Sequence, residues 1–390
     1  MSRDLRLVAA SLFVWGTGEG MFLYFQTLYL EEWGAEPFLI GAILGAWGVA
    51  TAIAQAPAGY LADRFGARPL MWGSWILGTL AAWIMALAGS LNAFVIGLVL
   101  FGLTSAVLAP MNSYVTAVRG QWSEGRALTL TSATYHLGAV IGPLAGGLIG
   151  QRLGLQTVYL IAAGIFILST LLILFVHRPP TEVHNPGEAP SELRRNPRYR
   201  LLLGLTLLTM FALYFAQPLT PNFLQNERGL SLEQIGLMGT LGSLGIVVTS
   251  LVFGHLHASR GFMLGQPLVA VFALLIWRGT SLPLLGIGYF FVGGYRLTRS
   301  MVLAFARSMI RPDETGLAFG LLETANAAAV ILAPPVAGLL YERSPDLMYP
   351  VALAMIAGAI AINLFFYPRL SHRPSRLPQL MKYFRGLYDS

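Results

Sequence analysis

The chain has 390 residues, 55 % of them hydrophobic and only 11 % charged, with a formal net charge of +7. A soluble protein of this length carries roughly a quarter charged residues, so a soluble globular fold is excluded, and apolar runs long enough to cross a bilayer recur throughout. There is no cysteine, which excludes disulfides and thiolate metal sites.

Backbone polar groups inside a bilayer must be satisfied within the chain, so uninterrupted apolar runs mean helices, whereas a membrane barrel shows short alternating strands. The expected fold class is therefore all-α integral membrane. Twelve spans are predicted, at about 7–30, 38–62, 69–88, 93–117, 127–150, 156–176, 200–225, 234–258, 262–279, 283–308, 315–341 and 347–367. With that count one side of the membrane receives 19 basic residues and the other 4, the latter accompanied by Glu31, Glu32, Glu36, Glu227, Glu233, Glu342 and Asp346. The positive-inside rule then predicts a multi-pass protein of the cell (inner) membrane with both termini cytoplasmic. The excess of positive charge is thus topological and implies no nucleic-acid partner.

The first span, reading WGTGEGMFLYFQTLY in its middle, carries Glu19 twelve residues from Glu31 and therefore near mid-depth, with Gln26 further along. The second span ends in GYLADRFGARP, a loop with Asp63, Arg64 and Arg68 between Gly59 and Pro69. The fourth span contributes Asn112 and has no charge. The fifth contributes Tyr135 and His136 and then runs through GAVIGPLAGG, in which Gly138, Gly142, Pro143, Gly146 and Gly147 form a pattern of small residues that permits close helix packing. The polar stretch 177–199, rich in proline and charge, reads as a cytoplasmic linker between an N-terminal six-helix half, 1–176, and a C-terminal one, 200–368. Gln217 and Asn222 lie in the seventh span. Arg296 and Arg299, three residues apart and so on one face, lie in the tenth. Glu323 and Asn326 lie in the eleventh, Glu323 about 14 Å into it at 1.5 Å per residue. The tail, 369–390, mixes basic and aromatic residues, and reads equally as an amphipathic helix on the inner membrane face or as disordered chain.

The halves resemble each other. Ile40, Gly41, Gly59, Leu61 and Gly66 of the second span and its loop align at a constant offset of 195 with Ile235, Gly236, Gly254, Leu256 and Gly261 of the eighth. GPLAGGLIGQR of the fifth span aligns at an offset of 191 with APPVAGLLYER of the eleventh. A parallel six-helix repeat is a transporter architecture, with substrate bound between the halves. The loop Gly59, Leu61, Ala62, Asp63, Arg64, Gly66 and Arg68 resembles the Gly-x-Leu-Ala-Asp-Arg-x-Gly-x-Arg signature of the major facilitator superfamily. The pattern in the fifth span resembles the antiporter motif of its drug exporters, and the resemblance covers all twelve spans. It implies two pseudo-symmetric six-helix halves, a small-molecule or lipid substrate moved by alternating access, and no cofactor. Gly59, Asp63, Arg64, Gly66 and Arg68 would then form a conformational gate. Asp63 is able to accept from a helix N-terminus or from an arginine across the half-interface, and the arginines meet the anionic leaflet. The family's arginine motif in span four is missing, which argues against its usual proton-relay arrangement.

Each charge inside the membrane costs about 2.5–3.5 kcal/mol even on the lenient insertion scale, so such charges are functional by default. One reading pairs Glu323 structurally with an arginine of the neighbouring helix. The other is a polar cavity in which Arg296 and Arg299 hold an anionic group, Gln26, Asn112, Tyr135, Gln217, Asn222 and Asn326 hydrogen-bond to substrate, and Glu19, Glu323 or His136 carries a coupling proton. His136 has a neutral packing role as its alternative. The expected function is proton-coupled export (antiport) of an amphipathic or drug-like molecule by a monomer. Transport of an organic anion or anionic lysolipid is the alternative within transport, and a non-transporting receptor the alternative outside it. No nucleotide loop, metal cluster or nucleophile–base pair is evident, so an enzyme is not expected.

Overall fold

The computed structural model describes residues 1–55, 58–177, 196–307, 309–310 and 315–371, with only the backbone course described for Gly59, Tyr60, Asp63, 315–317 and 367–371. Most of the expected linker and tail, 178–195 and 372–390, lies outside the described residues. The described residues form helices and no strand. In chain order the helices are α1 (Arg3–Leu23), α2 (Gln26–Glu32), α3 (Pro37–Gln55), α4 (Ala58–Phe65), α5 (Ala67–Ala86), α6 (Leu91–Leu103), α7 (Leu108–Ala117), α8 (Glu124–Leu153) and α9 (Leu155–Leu174). A second set follows: α10 (Pro197–Tyr214), α11 (Thr220–Asn226), α12 (Leu232–Phe253), α13 (Ala258–Arg278), α14 (Leu282–Phe291), α15 (Gly293–Arg307), α16 (Thr315–Arg343) and α17 (Met348–Ser371).

Eight of these runs are long and apolar enough to cross a membrane, counting α6 and α7 as one, and the α1–α2 pair, bent by 44°, makes a ninth. The other runs expected to cross are α8, α10 with α11, and α14 with α15. They are broken or carry more polar side chains, so length and hydropathy alone do not establish twelve crossings. Local chemistry sets where helices start. Ser2, Ser90 and Ser123 cap α1, α6 and α8, Asn196 caps α10 ahead of Pro197, and Ser231 with Gln234 forms a capping box on α12.

Several expected spans are not single helices. The first breaks at Tyr24 and Phe25, the fourth at the 3-10 turn Thr104–Val107, the seventh between Tyr214 and Thr220, and the tenth at Val292. First and seventh, and fourth and tenth, occupy corresponding places in the repeat. Broken helices at membrane depth survive where the freed backbone groups are buried in protein or line a wet cavity.

Within the first set α1 packs mainly on α8 and α9, and α5 on α6 and α9; within the second α13 packs on α14, α15 and α17, and α10 on α16 and α17. The first set is held by an aromatic chain running from Trp15 and Phe166 through Phe22 and Tyr159 to Tyr29 and Phe94, with ring centroids 4.4–6.2 Å apart along it. Lipid tails are as apolar as these side chains, so close packing and interhelical hydrogen bonds hold the fold rather than expulsion from water. Ser11, Ser169 and Trp75 supply such bonds at 2.9–3.0 Å between α1, α9 and α5. Outward-facing Leu87, Leu251 and Phe365 are exposed, as lipid-facing side chains must be.

The two sets meet chiefly through α3 on α16 and α8 on α12. At Gly147 and Gly236 the backbones of α8 and α12 nearly touch, and a Cβ at either would run into the partner's backbone. The hydrogen bonds joining the sets among the described residues lie at mid-depth or at the end carrying Glu31, Glu227 and Glu342, called here the acidic end. At that end Glu31 of α2 accepts from Asn222 and, at 2.8 Å, from Asn226 of α11. Arg228 and Arg278, two of the few cations there, lie over Phe223 and Trp277. At the opposite, arginine-rich end Arg68 and Arg126 lie over Trp72 and Trp122 at 4.0 and 4.1 Å, the aromatic–cation pairing of an interface.

Candidate functional site

A cavity of about 740 Å³ lies between the two sets. The helix breaks build its walls: Tyr24 and Gln26 from the first, Gln217 and Pro218 from the seventh span, Thr104 and Ser105 from the fourth, and Tyr295 and Arg296 just beyond the break in the tenth. The lining reaches Gln55, Asn112 and Leu128, near the arginine-rich ends of α3, α7 and α8, while the acidic end is closed by the contacts above. The cavity therefore opens toward the arginine-rich end.

The mid-membrane charges all line it. Among the described residues Glu19 has no ion-pair partner; one of its oxygens, Oε2, accepts from Trp15 Nε1 and from the Tyr135 hydroxyl, both at 3.1 Å. The Trp15–Glu19 spacing of four puts both on one face of α1. Arg299 and Glu323 form a forked ion pair, Nη2 to Oε2 at 2.5 Å and Nε to Oε1 at 3.3 Å. This is the structural pairing that the sequence leaves as one of two readings, and it removes Arg299 and Glu323 from the set of free charges. Arg296, one turn away, is exposed to the cavity and makes no hydrogen bond or ion pair among the described residues. It shares the cavity with Glu19, Tyr24, Tyr135 and His136.

His136 lines the cavity beside the Tyr135 ring, with centroids 5.2 Å apart. Gln26, Asn112, Gln217 and Asn326 also face it, Asn326 accepting from the Tyr295 hydroxyl at 2.9 Å and Gln217 donating to the Leu213 carbonyl at 2.6 Å. Asn222 does not. The break after Tyr214 carries it past the cavity to the acidic end, where its amide donates to Glu31 and to the Thr27 carbonyl; it is a contact between the sets rather than part of the lining. Trp15, Trp47, Tyr24, Tyr214 and Tyr295 line the cavity and are not among the binding residues that the sequence predicts. The four-residue spacing of Trp15 to Glu19 and of Tyr295 to Arg299 is a signal that finds two of them.

In the fifth-span motif α8 continues through Pro143. Gly138, Gly142 and Gly146 press on the α1 backbone at Phe13, Thr17 and Met21, while Pro143 and Gly147 face α12. The motif thus packs one helix on two partners, one in each set. The stretch after α3 that reads as a loop folds as the helix α4 up to Phe65; Gly66 then takes φ +84 between α4 and α5, a conformation that favours glycine, and Arg64 lies exposed with its guanidinium 5.5 Å from the Phe65 ring. Gly59 and the Asp63 side chain lie outside what is described.

The family model described as Major Facilitator Superfamily matches residues 8–256 and 202–387. The chain belongs to the Major Facilitator Superfamily. Multidrug resistance protein 1 of Bacillus subtilis (strain 168) is 21 % identical over 376 residues, covering 92 % of this chain and 95 % of that protein. Among solved structures, the nucleoside transporter NupG superposes with a TM-score of 0.78 at 14 % identity, over 95 % of this chain and 100 % of that one. The human organic anion transporter MFSD10 superposes with a TM-score of 0.66 at 18 % identity, over 92 % and 98 %. Facilitators are transporters, not enzymes. Among the described residues this facilitator's cavity has an aromatic wall, one arginine without an ion-pair partner and one carboxyl group held by neutral donors.

Proposed function

We propose that this facilitator is a proton-coupled exporter of an amphipathic, drug-like small molecule. The observation that carries the reading is Glu19, a carboxyl group in an aromatic wall that, among the described residues, has no ion-pair partner and faces the same cavity as the likewise unpaired Arg296. Desolvation among Trp15 and its neighbours favours a protonated Glu19, and a free arginine nearby favours the ionised form. Substrate whose donor or cationic group seats on Glu19 shifts this balance toward the ionised carboxylate and displaces the proton. Protonation of Glu19 removes that partner and releases the substrate. Opposed binding of proton and substrate is the minimum requirement for antiport, and linkage makes the effect reciprocal. The multidrug resistance protein of similar length supports the drug-like substrate class.

In this reading the protein crosses the inner membrane twelve times, with both termini cytoplasmic, and works as a monomer. The halves 1–176 and 200–368 rock about the cavity, joined by the linker 177–199, with the tail 369–390 on the cytoplasmic side. Gly59, Asp63, Arg64, Gly66 and Arg68 gate the arginine-rich end, and Gln26, Asn112, Tyr135, Gln217 and Asn326 hydrogen-bond to substrate. A second reading, transport of an organic anion or anionic lysolipid, is favoured by the lack of a partner for Arg296. Transport by purified protein in proteoliposomes under an imposed pH gradient tests both. Accumulation that collapses with the gradient supports coupling, and a preference for anionic over neutral and cationic substrates supports the second reading. Accumulation indifferent to the gradient overturns proton coupling.

A further inference from the structure

At the acidic end the two sets of helices meet through a pair of contacts that repeat each other. Gln151, in the last turn of α8, accepts at Oε1 from the backbone N–H of Leu232, the first residue of α12, at 3.0 Å. Glu342, in the last turn of α16, accepts at Oε1 from the backbone N–H of Phe38, the second residue of α3, at 2.8 Å. Positions 151 and 342 are 191 apart, the offset that aligns the fifth span with the eleventh. One position of the repeat therefore does the same job twice: a side chain from one set caps the N-terminus of a helix in the other.

The first N–H groups of a helix have no partner within it, and an oxygen placed there satisfies one of them and meets the positive end of the helix dipole. In α12 the capping box already joins Ser231 and Gln234 to each other's backbone, so the Leu232 N–H is left for Gln151. The caps form where the backbones approach most closely. Gly147 lies against Leu232 and Gly236, one turn before Gln151, and Gly338 lies against Pro37 and Phe38, one turn before Glu342. A cap of this length cannot follow if the acidic ends part by more than about an ångström or two, because hydrogen bonds weaken steeply beyond their normal distance.

We propose that Gln151 and Glu342 are a paired latch, two caps exchanged between the halves that hold the acidic end shut and release when the cavity opens on that side. The inference rests on the alternating-access reading. Neither residue lines the cavity, so the latch sets the balance between conformers without touching substrate. Conformers of a transporter differ by a few kcal/mol, so small contacts present in only one of them shift populations. The loss of a cap to alanine corresponds to about a 5-fold shift, and the loss of two independent caps to about 25-fold.

The absence of cysteine makes the test clean, because introduced pairs carry the only spin labels. Gly89→Cys with Thr280→Cys reports the acidic end and Gly125→Cys with His255→Cys the arginine-rich end, all four positions being exposed. Distances are read by pulsed electron resonance in lipid nanodiscs. Gln151→Ala and Glu342→Ala should each raise the ratio of long to short acidic-end distances about 5-fold, with the opposite change at the other end. Gln151→Glu and Glu342→Gln keep an acceptor and should stay within about 2-fold of the parent, since exchanging good caps costs only tenths of a kcal/mol. If the parent protein shows one fixed distance at each end, with and without a pH gradient, alternating access and the latch fall together. If the parent exchanges but the alanine variants keep its ratio, the latch fails while alternating access stands. The latch fails equally if the acceptor-keeping variants shift as far as alanine, or if alanine broadens both ends without reciprocity.

Discussion

The Arg299–Glu323 pair gives a quantitative test of the site's geometry. Replacing Glu323 with glutamine removes the charge opposite a forked guanidinium bonded at 2.5 and 3.3 Å. The two side chains are 29 % and 30 % exposed to the cavity, so the pair stands between two limits. A fully exposed pair contributes about 0–1 kcal/mol, and breaking a fully buried one costs about 3–5 kcal/mol. For a pair two-thirds buried the expected cost is about 1–3 kcal/mol, toward the upper end because Arg296 lies one turn away and the two cations then face each other uncompensated. Arg299→Gln should cost a similar amount by leaving Glu323 unpaired. The assay is a thermal-unfolding double-mutant cycle in detergent on the parent, the two single variants and the double variant. The double variant should lose less than the sum of the singles by at least about 1 kcal/mol, the signature of residues in contact. Losses that add within about 0.5 kcal/mol would refute the pairing and return both residues to the free charges of the cavity.

Arg296→Gln should weaken binding of anionic ligands by about tenfold or more, as loss of a charge-assisted contact does, and leave neutral ligands nearly unchanged; equal weakening of both classes in titration calorimetry would show that Arg296 is structural. Gly147→Leu should destabilise by about 1–3 kcal/mol, because its side chain would enter the α12 backbone at Leu232 and Gly236; an unchanged unfolding midpoint would contradict the close approach of α8 and α12. Asp63→Asn should impair transport with little loss of folded protein, by shifting conformers rather than removing the binding site; parental turnover in vesicles would refute a gating role.

Much of the membrane architecture is legible in the sequence because composition, apolar runs and loop arginines all respond to the same bilayer. The repeat is legible too, since small residues at helix contacts, such as Gly41, Gly147, Gly236 and Gly338, recur at matching offsets. Depth along the chain is sufficient to gather Glu19, His136, Arg296, Arg299, Glu323 and Asn326 around one cavity. Depth says nothing of which way a helix turns after a break, which is why Asn222 is expected in the lining and stands at the acidic end instead. Nor does spacing within one helix reveal partners on another: the Arg299–Glu323 bond leaves Arg296 as the unpaired arginine, and only the packing of α15 beside α16 decides it. The broken helices are hidden for a related reason, because an apolar run reads the same through a break when both pieces stay in the hydrocarbon.

In the proposed coupling, proton and substrate oppose each other through Glu19. Its most direct test is the exchange of protons on ligand binding, measured with purified protein in weakly buffered detergent solution across neutral pH. A ligand that seats on Glu19 should release protons from the parent protein on binding, and Glu19→Gln, which mimics the protonated form, should bind it more weakly and with no proton change. Proton uptake or no proton change on binding by the parent, or a Glu19→Gln variant that releases as many protons as the parent, would contradict opposed binding.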